Sequence, residues 1–172
     1  MIVDFLDAKF IIFAKKEGDM YWLNLIIPAL IFIPNLLEYF LPPANLPQES
    51  PREPVYLKIL EWVGRIGLII IPLFTPFSVE SMAGELALIA LIVFLLIYYA
   101  GWFRFFYIGR VYEYLYLPLL DIPIPLALSP VIYFLYASFL LNSNLLLIST
   151  VIFAAGHIPL SVISYRAIKQ SS

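Results

Sequence analysis

The sequence predicts an all-α, polytopic integral membrane protein with five transmembrane helices and a short N-terminal amphipathic helix in the membrane interface. Of the 172 residues, 63% are hydrophobic and only 13% are charged, whereas soluble domains contain about 45–50% apolar and about 25% charged residues. The mean hydropathy is +0.95. The apolar residues collect in five stretches, each close to the roughly 20 residues that a helix needs to cross a membrane. This composition excludes a soluble globular domain and a disordered chain.

Residues 1–19 are predicted to form the interfacial helix. Apolar residues recur there at helical spacing, as at Ile2 and Phe5, and acidic residues such as Asp4 fall on the opposite side. Lys9 lies near the middle of the apolar face, where a lysine can snorkel to water. The segment lacks a positively charged start and a small-residue cleavage site, so we do not interpret it as a signal peptide.

Five spans are predicted to form a single transmembrane domain over residues 1–172. They use about 100 residues, which leaves too little chain for a separate soluble domain. The linker at 42–54 contains five prolines and favours an extended path, and the other links are short, so neighbouring spans run antiparallel. The predicted spans cover 22–41, 57–77, 85–108, 117–141 and 145–165.

The fourth predicted span has an unusual density of proline. Four residues within a stretch of thirteen are proline: Pro118, Pro123, Pro125 and Pro130. Each removes a helix hydrogen bond, and irregular backbone at membrane depth is tolerated only where it is buried in protein or lines a wet cavity. We therefore expect this span to begin irregularly near Asp121, next to the polar residues of the bundle.

The basic residues predict the orientation of the chain in the cell membrane. The segments that follow spans one, three and five contain Lys and Arg, and the loops after spans two and four contain none. By the positive-inside rule the C-terminus is predicted to be cytoplasmic and the N-terminus to lie outside. Lys9, Lys15 and Lys16 oppose this orientation.

Polar residues of the spans are predicted to converge in one leaflet. Because neighbouring spans are antiparallel, the ends of spans one, three and five meet the starts of spans two and four. The opposite halves, for example 69–77 and 145–153, contain no charged residue. Ionisable groups inside a membrane are costly, so we interpret the converging set as a candidate binding site. The candidate ligand-binding residues are Asn35, Glu38, Glu61, Arg65, Arg104, Arg110, Asp121 and His157.

Several of these residues also have a structural interpretation. Glu61 and Arg65 are four residues apart, so they can form an ion pair that locks two helices together. Arg104 and Arg110 lie near the end of span three, where arginines commonly contact lipid phosphate. For these residues, a structural role and a role in binding a ligand both stay open.

His157 and Asp121 allow two interpretations each. His157 is the single histidine, and it either forms a helix-to-helix hydrogen bond or acts as a proton donor and acceptor near cellular pH. Asp121 either closes a turn before Pro123 or belongs to the polar site. The sequence leaves both pairs of alternatives open.

Three functions are compatible with this arrangement. We prefer transport or binding of a small anionic or amphiphilic molecule, in which an arginine holds the anion and Glu61, Asp121 or His157 carries a proton. The alternatives are a structural or interaction subunit, and an intramembrane enzyme acting on a lipid head group or isoprenoid. In the enzyme, His157 would be the acid or base and Asp121 or Glu61 its partner. The sequence does not decide whether the protein is an enzyme.

Other partners and cofactors are not expected. The net charge is −2 with no basic cluster, which argues against a nucleic-acid partner. A chain with no cysteine and one histidine does not favour a metal site, and it contains no GxSxG, HExxH, Walker A or GxGxxG motif, so no cofactor is predicted. The predicted partners are the lipid bilayer and an anionic or lipid-like ligand, and an oligomer or a partner subunit stays open.

Overall fold

The computed structural model describes residues 20–45, 47, 51–79 and 81–171, and this part of the chain is helical with no β-sheet. The amphipathic helix predicted for 1–19 lies outside the described residues. Short 3-10 turns occur at Trp22–Leu25, Ile71–Phe74 and Tyr112–Leu115. The α-helices are α1 (Ile26–Phe40), α2 (Val55–Ile70), α3 (Met82–Tyr107), α4 (Pro125–Leu140) and α5 (Asn144–Ser171).

Three described helices have the length and apolar composition needed to cross a membrane. They are Trp22–Phe40, Met82–Tyr107 and Asn144–Gln170. Helix α4 is apolar but has only 16 residues, which corresponds to about 24 Å at 1.5 Å per residue. Helix α2 also has 16 residues and contains three charged ones. The three long helices are compatible with a membrane protein. By length and composition, the described residues contain three candidate spans, fewer than the five predicted.

Hydrogen bonds at one end of the bundle join the start of α1 to the end of α2. The backbone N–H of Tyr21 donates to the carbonyl of Leu73 at 2.7 Å. The side-chain amide of Asn24 donates to the carbonyls of Pro72 and Thr75 at 3.2 and 2.6 Å. The two helices therefore run antiparallel, as the sequence predicts.

The ends of α1 and α3 lie close together at the other end of the bundle. The backbone N–H of Ala44 donates to the carbonyl of Arg110 at 2.9 Å. Asn45 donates from its amide to Glu113 at 3.0 Å and accepts from the backbone of Tyr112 at 2.7 Å. These contacts place the linker after α1 against the connection that follows α3.

Helices α2 and α5 approach each other so closely that Gly64 and Gly156 have no room for a side chain. A Cβ atom at Gly64 would overlap the backbone of Phe153, and one at Gly156 would overlap the backbone of Glu61. Small residues allow membrane helices to pack at short range. Because Gly156 directly precedes His157, this packing also brings His157 next to α2.

Helices α3 and α4 form a second tightly packed pair that carries most of the buried aromatic side chains. Phe105, Tyr133 and Phe134 are almost completely buried. The hydroxyl of Tyr133 donates to the carbonyl of Ile27 at 3.1 Å, which ties α4 to α1. The bundle core lies between these three helices and continues into the α2–α5 pair through Leu68, Leu146 and Phe153.

The irregular start expected for the fourth span is present. The predicted span begins at 117, but the helix begins only at Pro125. Leu119 and Ile122 exchange backbone hydrogen bonds of 3.2 and 3.0 Å. The two residues between them, Leu120 and Asp121, have φ values of 51° and 61°. This is a two-residue turn in the left-handed region, which aspartate tolerates better than leucine.

Replacing Leu120 with glycine is expected to raise the free energy of unfolding by about 0.5–1 kcal/mol, because glycine adopts a positive φ without strain. Leu120 is 76% exposed, so little packing is lost. Leu120→Ala retains a Cβ atom and serves as the control. Denaturation of both variants in detergent micelles checks this, and a glycine variant less stable than the alanine variant would contradict the strain at this position.

Candidate functional site

The carboxylate of Glu61 is the centre of the candidate site. Its Oε1 atom accepts a hydrogen bond from Nη2 of Arg65 at 2.7 Å and lies 2.9 Å from Nδ1 of His157. Arg65 follows one turn later on α2, so the ion pair predicted from the spacing is present. His157 lies on α5. We call these three residues the Glu61 cluster, and it connects α2 to α5.

His157 is oriented by contacts on both sides of its ring. A carboxylate can only accept, so Nδ1 carries the proton that bonds to Glu61. The ring stacks on Phe153 with centroids 4.6 Å apart. The carbonyl of His157 accepts from the hydroxyl of Ser161 at 2.9 Å. Its Nε2 atom makes no hydrogen bond within the described ranges, so the fold leaves this atom available to a further partner.

Arg65 is held by aromatic rings as well as by Glu61. Its guanidinium carbon lies 5.6 Å from the ring centre of Phe32 on α1 and 5.7 Å from that of Trp62. A cation over an aromatic face is attracted by the ring. Arg65 therefore contributes to packing between α1 and α2, and its charge is already paired with a carboxylate.

Asn35 belongs to a separate polar contact between α1 and α3. Its amide donates to the hydroxyl of Tyr98 at 2.9 Å, and Tyr98 donates to the carbonyl of Ile31 at 2.9 Å. Sequence reasoning did not single out Tyr98. Its position deep inside an apolar stretch, away from the interfacial tyrosines, was the available signal. Glu38 lies half-buried one turn after Asn35 on α1.

Arg104 closes the connection between α3 and α4. Its guanidinium donates at 2.7–3.0 Å to three backbone carbonyls, those of Tyr114, Leu117 and Pro118. It also lies 5.2 Å from the ring centre of Tyr114. These contacts stabilise an irregular segment, so the guanidinium that we predicted to bind a ligand is occupied by the protein itself.

Arg110 and Asp121 lie outside the Glu61 cluster. Arg110 has a φ of 60° and its backbone carbonyl accepts from Ala44. Asp121 is exposed in the turn before α4. The structure thus brings Glu61, Arg65 and His157 together and leaves these two candidates in the α3–α4 connection.

A cleft of about 280 Å³ opens beside the Glu61 cluster. We call it the α2–α5 cleft, because most of its lining comes from these two helices. Within the cleft region, Nζ of Lys58 lies 2.9 Å from Oε2 of Glu53. Its lining residues are Glu53, Lys58, Glu61, Trp62, Tyr116, Leu160, Ser161 and Ser164. Glu61 is the single member of the predicted ligand-binding set in this lining.

No protein-family model, curated protein or solved structure matches the chain.

The α2–α5 cleft offers polar groups of several kinds next to apolar surface. Burial raises the pKa of the Tyr116 phenol above its ordinary value, so this hydroxyl stays protonated and can donate. Ser161 and Ser164 add hydroxyl groups, and Glu53 and Glu61 add carboxylates. In the described ranges no group of three or more acidic or histidine side chains is placed to hold a metal ion. The arrangement is suited to hydrogen bonding with a polar organic group.

Proposed function

We propose that the protein is a five-span membrane protein that binds an amphiphilic molecule, with the polar head group of this molecule in the α2–α5 cleft. The observation that carries this proposal is a polar cleft on a helix whose other exposed side chains are apolar. Ile59, Val63 and Ile66 of α2 are all more than half exposed. A head group in the cleft would leave the hydrocarbon tail beside these side chains, where apolar contact is favourable.

The dimensions of α2 support its assignment as a span. Its 16 α-helical residues and the four residues of the 3-10 turn Ile71–Phe74 together measure about 32 Å, close to the roughly 30 Å of a hydrocarbon core. Lys58 and Glu61 lie in the first two turns, from which a long side chain reaches the interface. Helix α4 is shorter, and the irregular residues before it lie next to the Arg104 side chain.

A five-span chain has its two termini on opposite sides of the membrane. Because the native chain has no cysteine, Ser172→Cys and Asp19→Cys provide unique labelling sites. We expect an impermeant thiol reagent to label Asp19→Cys in intact cells, and Ser172→Cys only after the membrane is opened. Labelling of both positions from the same side would contradict five spans, and labelling of Ser172→Cys alone in intact cells would reverse the orientation.

The contacts of the arginines favour an amphiphile over a small free anion. Arg65 is paired with Glu61 at 2.7 Å, and Arg104 donates to backbone carbonyls. Neither lines the α2–α5 cleft. An anion would therefore have to compete with these contacts, whereas a head group in the cleft uses polar groups that are already at its surface.

Trp62 provides a test with a matched control at the other end of the bundle. Trp62 lines the cleft and is 62% exposed, and Trp22 is 60% exposed at the start of α1. We expect a polar lipid extract to raise the Tm of the delipidated protein in detergent. The rise should be largely lost in Trp62→Ala and retained in Trp22→Ala. An equal loss in both variants, or in neither, would contradict binding at the cleft.

A structural role is the second candidate function, and the Glu61 cluster favours it. In this interpretation the cluster only ties α2 to α5, and added lipid stabilises both tryptophan variants equally. Intramembrane catalysis has less support, because His157 is not among the residues that line the cleft. The tryptophan comparison separates the binding function from the structural one.

A further inference from the structure

We infer that the head group held in the α2–α5 cleft is uncharged and carries hydroxyl groups, as a glycerol or sugar head group does. This inference rests on the proposed binding of an amphiphile. It follows from the pairing of the charged groups in and beside the cleft, from the hydrogen-bonding atoms that remain there, and from the size of the cleft.

The charges around the cleft are compensated within the protein. Lys58 is paired with Glu53 at 2.9 Å, and Glu61 with Arg65 at 2.7 Å. A phosphate or carboxylate head group would be repelled by the carboxylates of Glu53 and Glu61. It could pair with Lys58 only by breaking the Lys58–Glu53 ion pair. An ammonium head group would be repelled by Lys58. It would also have to compete with Lys58 for Glu53 and with Arg65 for Glu61. A neutral head group avoids both costs, which arise because desolvated charges need partners.

The carboxylates of the cleft need hydrogen-bond donors from a ligand. Both contacts of Glu61 use its Oε1 atom, and the ion pair of Glu53 uses its Oε2 atom. The second oxygen of each carboxylate makes no hydrogen bond among the residues described. Carboxylate oxygens only accept, so a matching ligand must donate, and a hydroxyl group donates without adding charge.

The remaining lining fits the carbon skeleton of such a head group. The Trp62 ring and Leu160 supply apolar surface. The Ser161 hydroxyl already donates to the carbonyl of His157, and Tyr116 already contacts Tyr112 and Ser164, so these hydroxyls offer a ligand their remaining lone pairs and any donor the protein does not use. The volume of about 280 Å³ lies just below the range of about 300–1,000 Å³ for sites that hold a whole small molecule. The cleft is therefore large enough for one head group and too small for a whole lipid.

The test compares three lipids with identical acyl chains in their binding to the full chain in detergent. The probes are a monoglucosyl diacylglycerol, phosphatidic acid and phosphatidylethanolamine, and the Kd is measured by titration. We expect the glucosyl lipid to bind at least about tenfold more tightly than either charged lipid. Tighter binding of either charged lipid would overturn the inference and leave the proposed function intact. Binding of none of the three would overturn the proposed function itself.

Two variants locate the preference in the cleft. Glu53→Gln removes one charge from the lining and is expected to weaken binding of the glucosyl lipid and to strengthen binding of phosphatidic acid. The ratio of the phosphatidic acid Kd to the glucosyl lipid Kd should therefore fall. Ser164→Ala is a second, smaller change. It is expected to weaken binding of the glucosyl lipid and to leave the Kd values of the two charged lipids unchanged. Glu85→Gln, exposed in the first turn of α3, is the matched control and should leave all three Kd values unchanged. An equal change in Glu53→Gln and Glu85→Gln would contradict recognition by the cleft.

Discussion

Replacing Gly64 with alanine is expected to lower the free energy of unfolding by about 2 kcal/mol or more. A Cβ atom at this position would overlap the backbone of Phe153 on α5, and a backbone cannot move aside as a flexible side chain can. The two helices must therefore separate, and overpacking of this kind costs about 1–3 kcal/mol. Because Glu61 lies three residues earlier on the same helix, the distance to His157 should increase as well. Titration with SDS in mixed micelles, followed by circular dichroism, measures the change.

Gly84→Ala is the matched control for this prediction. It makes the same chemical change near the start of α3, where a Cβ atom would meet only ordinary contacts of 3.4–3.6 Å. Alanine has a higher helix propensity than glycine by about 1 kcal/mol, so this variant should be as stable as the native chain or more stable. If Gly64→Ala and Gly84→Ala had the same effect, α2 and α5 would not be packed at this distance.

Replacing Glu61 with leucine is expected to destabilise the protein by about 1–3 kcal/mol. The substitution removes the partner of Arg65 and of Nδ1 of His157 together. Breaking a fully buried ion pair costs about 3–5 kcal/mol. The side chains here are 16% exposed at Glu61 and 31% at Arg65, so solvent reduces the loss. Glu61→Gln retains an acceptor without the charge and should be destabilised less than Glu61→Leu.

Glu85→Leu provides the control for Glu61→Leu, because Glu85 is an exposed acidic residue at the other end of the bundle. Its contribution is confined to the interaction with the helix dipole, so its loss should change stability by less than about 1 kcal/mol. The same SDS titration measures both variants. A loss at Glu61 no larger than the loss at Glu85 would show that the Glu61 cluster does not hold the two helices.

The sequence was sufficient for the helical class and for the Glu61–Arg65 pair, and it left Glu61 and Asp121 open as partners of His157. The spacing of four residues between Glu61 and Arg65 is a local property of one helix, so it could be read without a structure. The convergence of His157 with Glu61 followed from the antiparallel order of the spans. Gly156, beside His157, allows the close approach of α5 to α2 that brings the two side chains together.

The cleft and the roles of the arginines could not be predicted, because they depend on contacts between distant segments. Arg104 bonds to carbonyls up to 14 residues later in a segment without regular structure. Lys58 lines the cleft next to Glu53, which belongs to the linker before α2 and is brought to its side by the fold. The irregular start of α4 was expected from the prolines, whereas no local pattern indicates the left-handed conformation of Leu120.

A double-mutant cycle between Glu61 and His157 tests most directly that the Glu61 cluster connects α2 to α5. The free energy of unfolding is measured for the native chain, Glu61→Leu, His157→Phe and the double variant. Phenylalanine retains an aromatic ring to stack on Phe153. With a Nδ1–Oε1 distance of 2.9 Å, we predict a coupling energy of about 1 kcal/mol, within the range found for polar contacts between membrane helices. Additivity of the two single effects within about 0.3 kcal/mol would contradict the connection.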